Sequence, residues 1–214
     1  MGQTDQPSQL LTEWWYHRLQ AVGRSANRYL LLLLTVSAYT LGVHLTRDSA
    51  ESFVHVQFLG LRLPKPFVEA FAVSVLAIAA LAFLGATQAF ESAYESLATQ
   101  LRMKPEDLPQ SAVDQNPSLL DFLGYATIVR GEPFRALTNI VWLFVYPLPL
   151  AAALVWAVVL WWNGAEARPY LSPWLVGVHI VNAVFLIWAW VRAFRFVKGR
   201  WMVVRKHVRQ RANS

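Results

Sequence analysis

Cysteine is absent from the 214-residue chain, which excludes disulfides, thiolate nucleophiles and cysteine-based metal sites. Charge is sparse too: only 15% of the residues are Asp, Glu, Lys or Arg, against about 25% in soluble domains. No GxSxG, HExxH, Walker A or dinucleotide-binding fingerprint occurs, so the local signatures of the common hydrolases, metalloproteases, P-loop enzymes and dehydrogenases are missing. The five histidines (His17, His44, His55, His179 and His207) lie in different segments, and no two have the i, i+4 spacing of a helical metal pair. No catalytic residue, metal or cofactor is therefore expected. The first ten residues lack a cationic stretch followed by an apolar core, and Gly2 is not followed by the Ser or Thr of a myristoylation signal. Neither a cleaved leader nor a lipid anchor is expected there.

What the chain has in quantity is apolar surface, with 56% hydrophobic residues and a mean hydropathy of +0.34. A bilayer core about 30 Å thick takes roughly 20 helical residues to cross, and four segments qualify. The expected fold is an all-α membrane protein with spans at 29–45, 67–104, 136–162 and 174–191. Residues 1–9 are polar and read as disordered. Leu11, Trp15, Leu19 and Val22 then recur at helical spacing beside Trp14. Residues 1–28 thus read as a cytoplasmic amphipathic segment, with the apolar stripe on the membrane surface or packed in a cytosolic cap. In the first span Thr35, Tyr39, Gly42 and Thr46 share one face, the pattern of helix packing. The connector 46–66 contains Phe53-Val54-His55-Val56-Gln57-Phe58 and a glycine at Gly60, which suits a short hairpin.

The second helical pattern, 67–104, would be roughly 57 Å long at 1.5 Å per residue. About half of it should stand outside the lipid, as a cytoplasmic extension. Gly85, Ala86 and Ala89 give it small-residue spacing, and Gln88, Glu91, Ser92, Glu95 and Thr99 form a polar stripe where it leaves the bilayer. Residues 105–135, with Pro105, Pro109 and Pro117, read as a cytoplasmic loop holding a short apolar segment at 118–129. The third span is interrupted by Pro147 and Pro149, which would kink it. A short turn at 163–173 makes the last two spans neighbours, and 192–214 is a basic tail.

The net charge of +6 and pI near 9.9 invite a nucleic-acid reading, but the distribution opposes it. Arg18, Arg24, Arg28, Arg102, Lys104, Arg130, Arg135 and eight residues of the tail lie on the side of the termini, 15 of the 19 Lys and Arg. Both termini are therefore expected in the cytoplasm, with the tail against anionic headgroups.

The residues that could carry function are polar groups at or near membrane depth. His179 and Asn182 lie one turn apart in the fourth span, with Asn139 and Tyr39 in others. His179 and Asn182 could line a ligand site, proton path or pore, or form interhelical hydrogen bonds, for instance to Tyr39, Thr35 or Asn139. Glu91 and Glu95, with Gln88, have three readings: solvated positions, partners of Arg192 and Arg195, or a carboxylate ring at a cytoplasmic mouth in an oligomer.

The order of a first span, Phe58-Leu59-Gly60-Leu61-Arg62-Leu63-Pro64, a long second helix and Tyr146-Pro147-Leu148-Pro149 resembles bacterial four-helix membrane modules, some of them fused to pentapeptide repeats. Similar-sized proteins occur in anti-phage defence operons. The resemblance implies an inner-membrane component and supplies no catalytic residues. The expectation is a non-enzymatic oligomeric sensor or effector that works with a cytosolic protein partner, with a pore as one form of its output, and without nucleic acid. A membrane anchor or a small transporter is the alternative.

Overall fold

The computed structural model describes residues 6–45, 53–56, 60–102, 147–166 and 173–212. These form α1 (Gln6–Leu45), β1 (Phe53–Val56), β2 (Leu61–Pro64), α2 (Lys65–Gln100), α3 (Pro147–Glu166) and α4 (Pro173–Ala212). All four helices are long and apolar enough to cross a membrane.

The first correction concerns α1. The amphipathic segment and the first span are one helix of 40 residues, starting at Gln6 where disorder was expected. Pro7 sits in its first turn, where a missing N–H costs nothing. The later breakers, Gly23 and Gly42, cost only about 1 kcal/mol each, too little to end a helix that packs on both sides of Gly23. Similarly, α2 starts at Lys65, directly after β2, with Pro66 in its first turn, and ends at Gln100, four residues short of the expected limit. Its end is a turn in which the Leu101 N–H donates to Leu97 O at 3.0 Å and Arg102 takes a left-handed φ of 51°.

The described part of the third span is the helix α3, Pro147–Glu166, with Pro147 and Pro149 at its start. The part of that span before 147, with Asn139, lies outside the described residues, as do the loop 105–135 and its apolar segment. The fourth span continues through the basic tail as a single helix to Ala212.

The chain divides into two units, and α1 and α2 each contribute a segment to both. One unit holds residues 1–29 and 82–145. In it Leu19 is buried with Ala93 and Leu97, and Trp15, Tyr16, Phe90 and Leu101 pack around them. The centre of the apolar stripe on α1 therefore faces α2, so Trp15 and Leu19 pack on protein. Period and polarity define an apolar face but do not say what covers it.

The other unit holds residues 30–81 and 146–214. Its core comes chiefly from α2, where Ala70, Ala72, Val73, Leu76, Ala77, Ala79 and Ala80 are buried, with Leu33 of α1, Leu154, Ala157 and Leu160 of α3, and Leu186 and Ala189 of α4. Alanine at these positions lets helix backbones approach closely. Close packing thus falls at 70–80, whereas Gly85 is exposed, with nothing within 4 Å of where a Cβ would stand. Contacts join α1 to α2, α2 to α4, α4 to α3 and α3 to α1.

Between α1 and α2, β1 and β2 pair antiparallel, with Phe53 opposite Pro64 and Val56 opposite Leu61. Gly60 has a φ of 62°, the left-handed region that a side chain disfavours.

Candidate functional site

Asn182 is fully buried, and its surroundings follow from the α2 sequence. Ala70 and Ser74 stand at i and i+4, one above the other on a single helix face. The Asn182 side-chain N–H donates to the Ala70 carbonyl at 3.0 Å, and the Ser74 hydroxyl donates to its Oδ1. The amide is thereby held by α2 on both of its polar ends, which answers the cost of placing it at membrane depth. Its partners are not Tyr39 or Thr35, as the sequence suggested. Tyr39 is exposed, on the side of α1 away from its buried residues.

His179, one turn before Asn182, is also buried. Its carbonyl accepts from the Trp161 indole N–H at 3.0 Å. A Cβ added at Gly164 would lie 2.5 Å from the His179 ring, so the glycine makes room for the imidazole between α3 and α4.

A second polar group links three helices, and sequence reasoning did not assemble it. The Thr40 hydroxyl donates to the Val36 carbonyl at 2.8 Å, back along its own helix, a common way to satisfy a hydroxyl in lipid. The same oxygen accepts from the Trp156 indole N–H at 2.7 Å. The Trp156 ring meets the His44 ring edge-on, with centroids 5.4 Å apart. His44 Nδ1 lies 3.8 Å from Glu69 Oε1 on α2. The available signal was Glu69, an acid inside an otherwise apolar helix start.

The proposed coupling residues fall elsewhere. Gln88 and Glu95 are exposed on the α2 face opposite Ala93 and Leu97, whereas the Glu91 side chain lies outside the described residues. Arg192 and Arg195 are exposed on α4. Gln88 and Glu95 belong to one unit and the two arginines to the other. Among the described residues no group of three or more His, Asp or Glu side chains could hold a metal ion.

The arrangement thus offers interhelical polar contacts, an exposed carboxylate-bearing helix face and exposed cations on α4. A scan against protein-family models and searches of curated proteins and of solved structures return no match to this chain.

Proposed function

We propose that this chain is a multi-pass bacterial inner-membrane protein, with both termini cytoplasmic, that works without catalysis as an oligomeric sensor or effector alongside a cytosolic protein partner. The observation that carries this reading is helix length. α1 has 40 residues and α2 has 36, whereas a bilayer takes about 20. The surplus of the two helices is mutually packed through Leu19, Ala93 and Leu97. A packed pair of helix extensions carrying Gln88, Glu91 and Glu95 is a means of passing a signal between lipid and cytosol. The exposed Arg192, Arg195 and Lys198 of α4 suit anionic headgroups. A role in phage defence follows only from the resemblance of the chain's organisation.

The output tested is a pore. Purified protein in nanodiscs is expected to be oligomeric, and proteoliposomes are expected to pass cations, with Glu91→Gln plus Glu95→Gln reducing the flux. A monomer that passes no ions with or without stimulus would remove the pore from this reading.

A second reading, a membrane anchor for another protein, draws support from Asn182, Thr40 and Trp156, whose polar atoms are spent on neighbouring helices. The same bonds weigh against a transporter centred on His179 and Asn182. An anchor would retain a stoichiometric partner on purification and would be indifferent to the two Glu→Gln changes.

A further inference from the structure

We infer that the packed extensions of α1 and α2 are a docking surface for a second copy of this chain. The arginine face of α1 in one copy meets the Glu95 face of α2 in the next. The inference rests on the oligomeric membrane reading above and supplies its interface. From Trp14 to Arg28, α1 carries three arginines and no acid, whereas residues 82–100 of α2 carry Glu91 and Glu95 and no cation. Arg18, Arg24, Arg28 and Glu95 are all exposed, and among the described residues no ion pair joins them. Arg18 is held in place by its own helix, with its guanidinium 5.1 Å from the Trp14 ring centroid and 5.4 Å from that of Trp15.

The packing within one copy sets the heights of these charges. Leu19 packs with Ala93 and Leu97, and a Cβ at Gly23 would lie 3.5 Å from the Phe90 ring. The pair is therefore antiparallel, and each step forward along α1 is matched by a step back along α2. Arg18 stands level with Glu95 and Arg24 with Glu91, each to within about one residue, or roughly 1.5 Å. Both faces point away from the seam. On α1, Ala21 and Arg24 lie opposite Leu19 and Ala26, with Arg18 at the edge of that face, and on α2 Glu95 lies opposite Ala93 and Leu97.

Because the faces are back to back, one copy cannot offer both to the same neighbour. The contact is therefore heterologous, and it closes as a ring larger than a dimer. Copies in one bilayer share one orientation, so the ring axis lies along the membrane normal and residues of equal height meet. That sets Arg18 beside Glu95, and Arg24 beside position 91, of the adjacent copy with no shift along the normal. Exposed ion pairs add little affinity singly. Their work here is to select the face and the register, which electrostatic complementarity does well.

The test exploits the lack of cysteine in the chain. Ala21 and Ser92 are small, exposed and of equal height on the two faces. The full chain carrying Ala21→Cys and Ser92→Cys is oxidised in its membrane. A disulfide needs Cα atoms within about 7 Å, which the back-to-back faces of one copy preclude. A ladder of dimers and larger covalent species is expected, with dimers alone when the two single variants are co-expressed and no product from either single variant by itself. Added to the double-cysteine chain, Arg18→Glu or Glu95→Arg is expected to lower the ladder's yield roughly fivefold, and the two together to restore it. Self-crosslinking of a single variant, an adduct with another protein, or a charge swap that restores nothing overturns the interface. If the charge variants do not accumulate, the ladder and its single-variant controls decide alone. An oligomer in nanodiscs that gives no ladder removes this interface only, whereas a monomer removes the oligomeric reading as well.

Discussion

Asn182 carries more of the bundle's specificity than any apolar side chain near it, because its hydrogen bonds are met only when α4 faces Ala70 and Ser74. Asn182→Ala is expected to destabilise the protein by about 1–2 kcal/mol, and Ser74→Ala by about 0.6 kcal/mol, the usual scale of interhelical bonds in lipid. Since both act on one contact, the double variant should cost less than the sum. Unfolding of the four proteins in detergent measures this, and strict additivity would show that the two side chains act independently. Gly164→Ala probes the neighbouring contact by the opposite means. The added methyl would stand 2.5 Å from a buried imidazole, and overpacking of this kind typically costs about 1–3 kcal/mol. A Tm equal to that of the wild type would mean that His179 can move aside. At this scale little was legible beforehand. The sequence marks Asn182 as polar in an apolar run, but Ser74 lies 108 positions away, and several hydroxyls and amides were equally good candidates. Pairing is decided by helix rotation, which hydropathy does not report.

At the scale of elements the reading went further, because span formation depends on composition summed over about 20 residues and is insensitive to any single one. Each of the four expected spans overlaps a helix long and apolar enough to cross a membrane. Boundaries were less legible: α1 starts within the polar segment read as disordered and α2 starts two residues before the expected span, with Pro7 and Pro66 in their first turns, where proline is pre-organised for the helix. The stripe Trp15–Leu19 gave a correct face but an ambiguous occupant, lipid or protein, and burial of Leu19 against Ala93 and Leu97 decides for protein. Leu19→Ala should therefore loosen the extension pair by about 2–5 kcal/mol. Hydrogen exchange in nanodiscs is expected to rise in residues 10–28 and 86–100, while amides near Val73, Leu154 and Asn182 keep their protection, since these belong to a separately packed unit. Uniform loss of protection throughout would instead show one cooperative block.

For the whole molecule, the proposed orientation rests on charge counting alone, because translocating cationic loops is disfavoured and the bias of 15 against 4 Lys and Arg is large. No single contact contributes to it, which is why it can be argued without knowing how any two helices meet. The absence of cysteine makes it directly measurable, since one introduced thiol is the only reactive sulfur in the chain. Arg62→Cys places the thiol at an exposed hairpin position, and removing that arginine strengthens the bias further. Thr99→Cys places it at an exposed position on the α2 extension and leaves every charge intact. In intact spheroplasts a membrane-impermeant maleimide is expected to label Arg62→Cys and to spare Thr99→Cys, and both should react once the membrane is opened. Labelling of Thr99→Cys in intact cells would invert the protein. It would put Glu95 and the basic end of α4 outside and the His44–Glu69 contact inside.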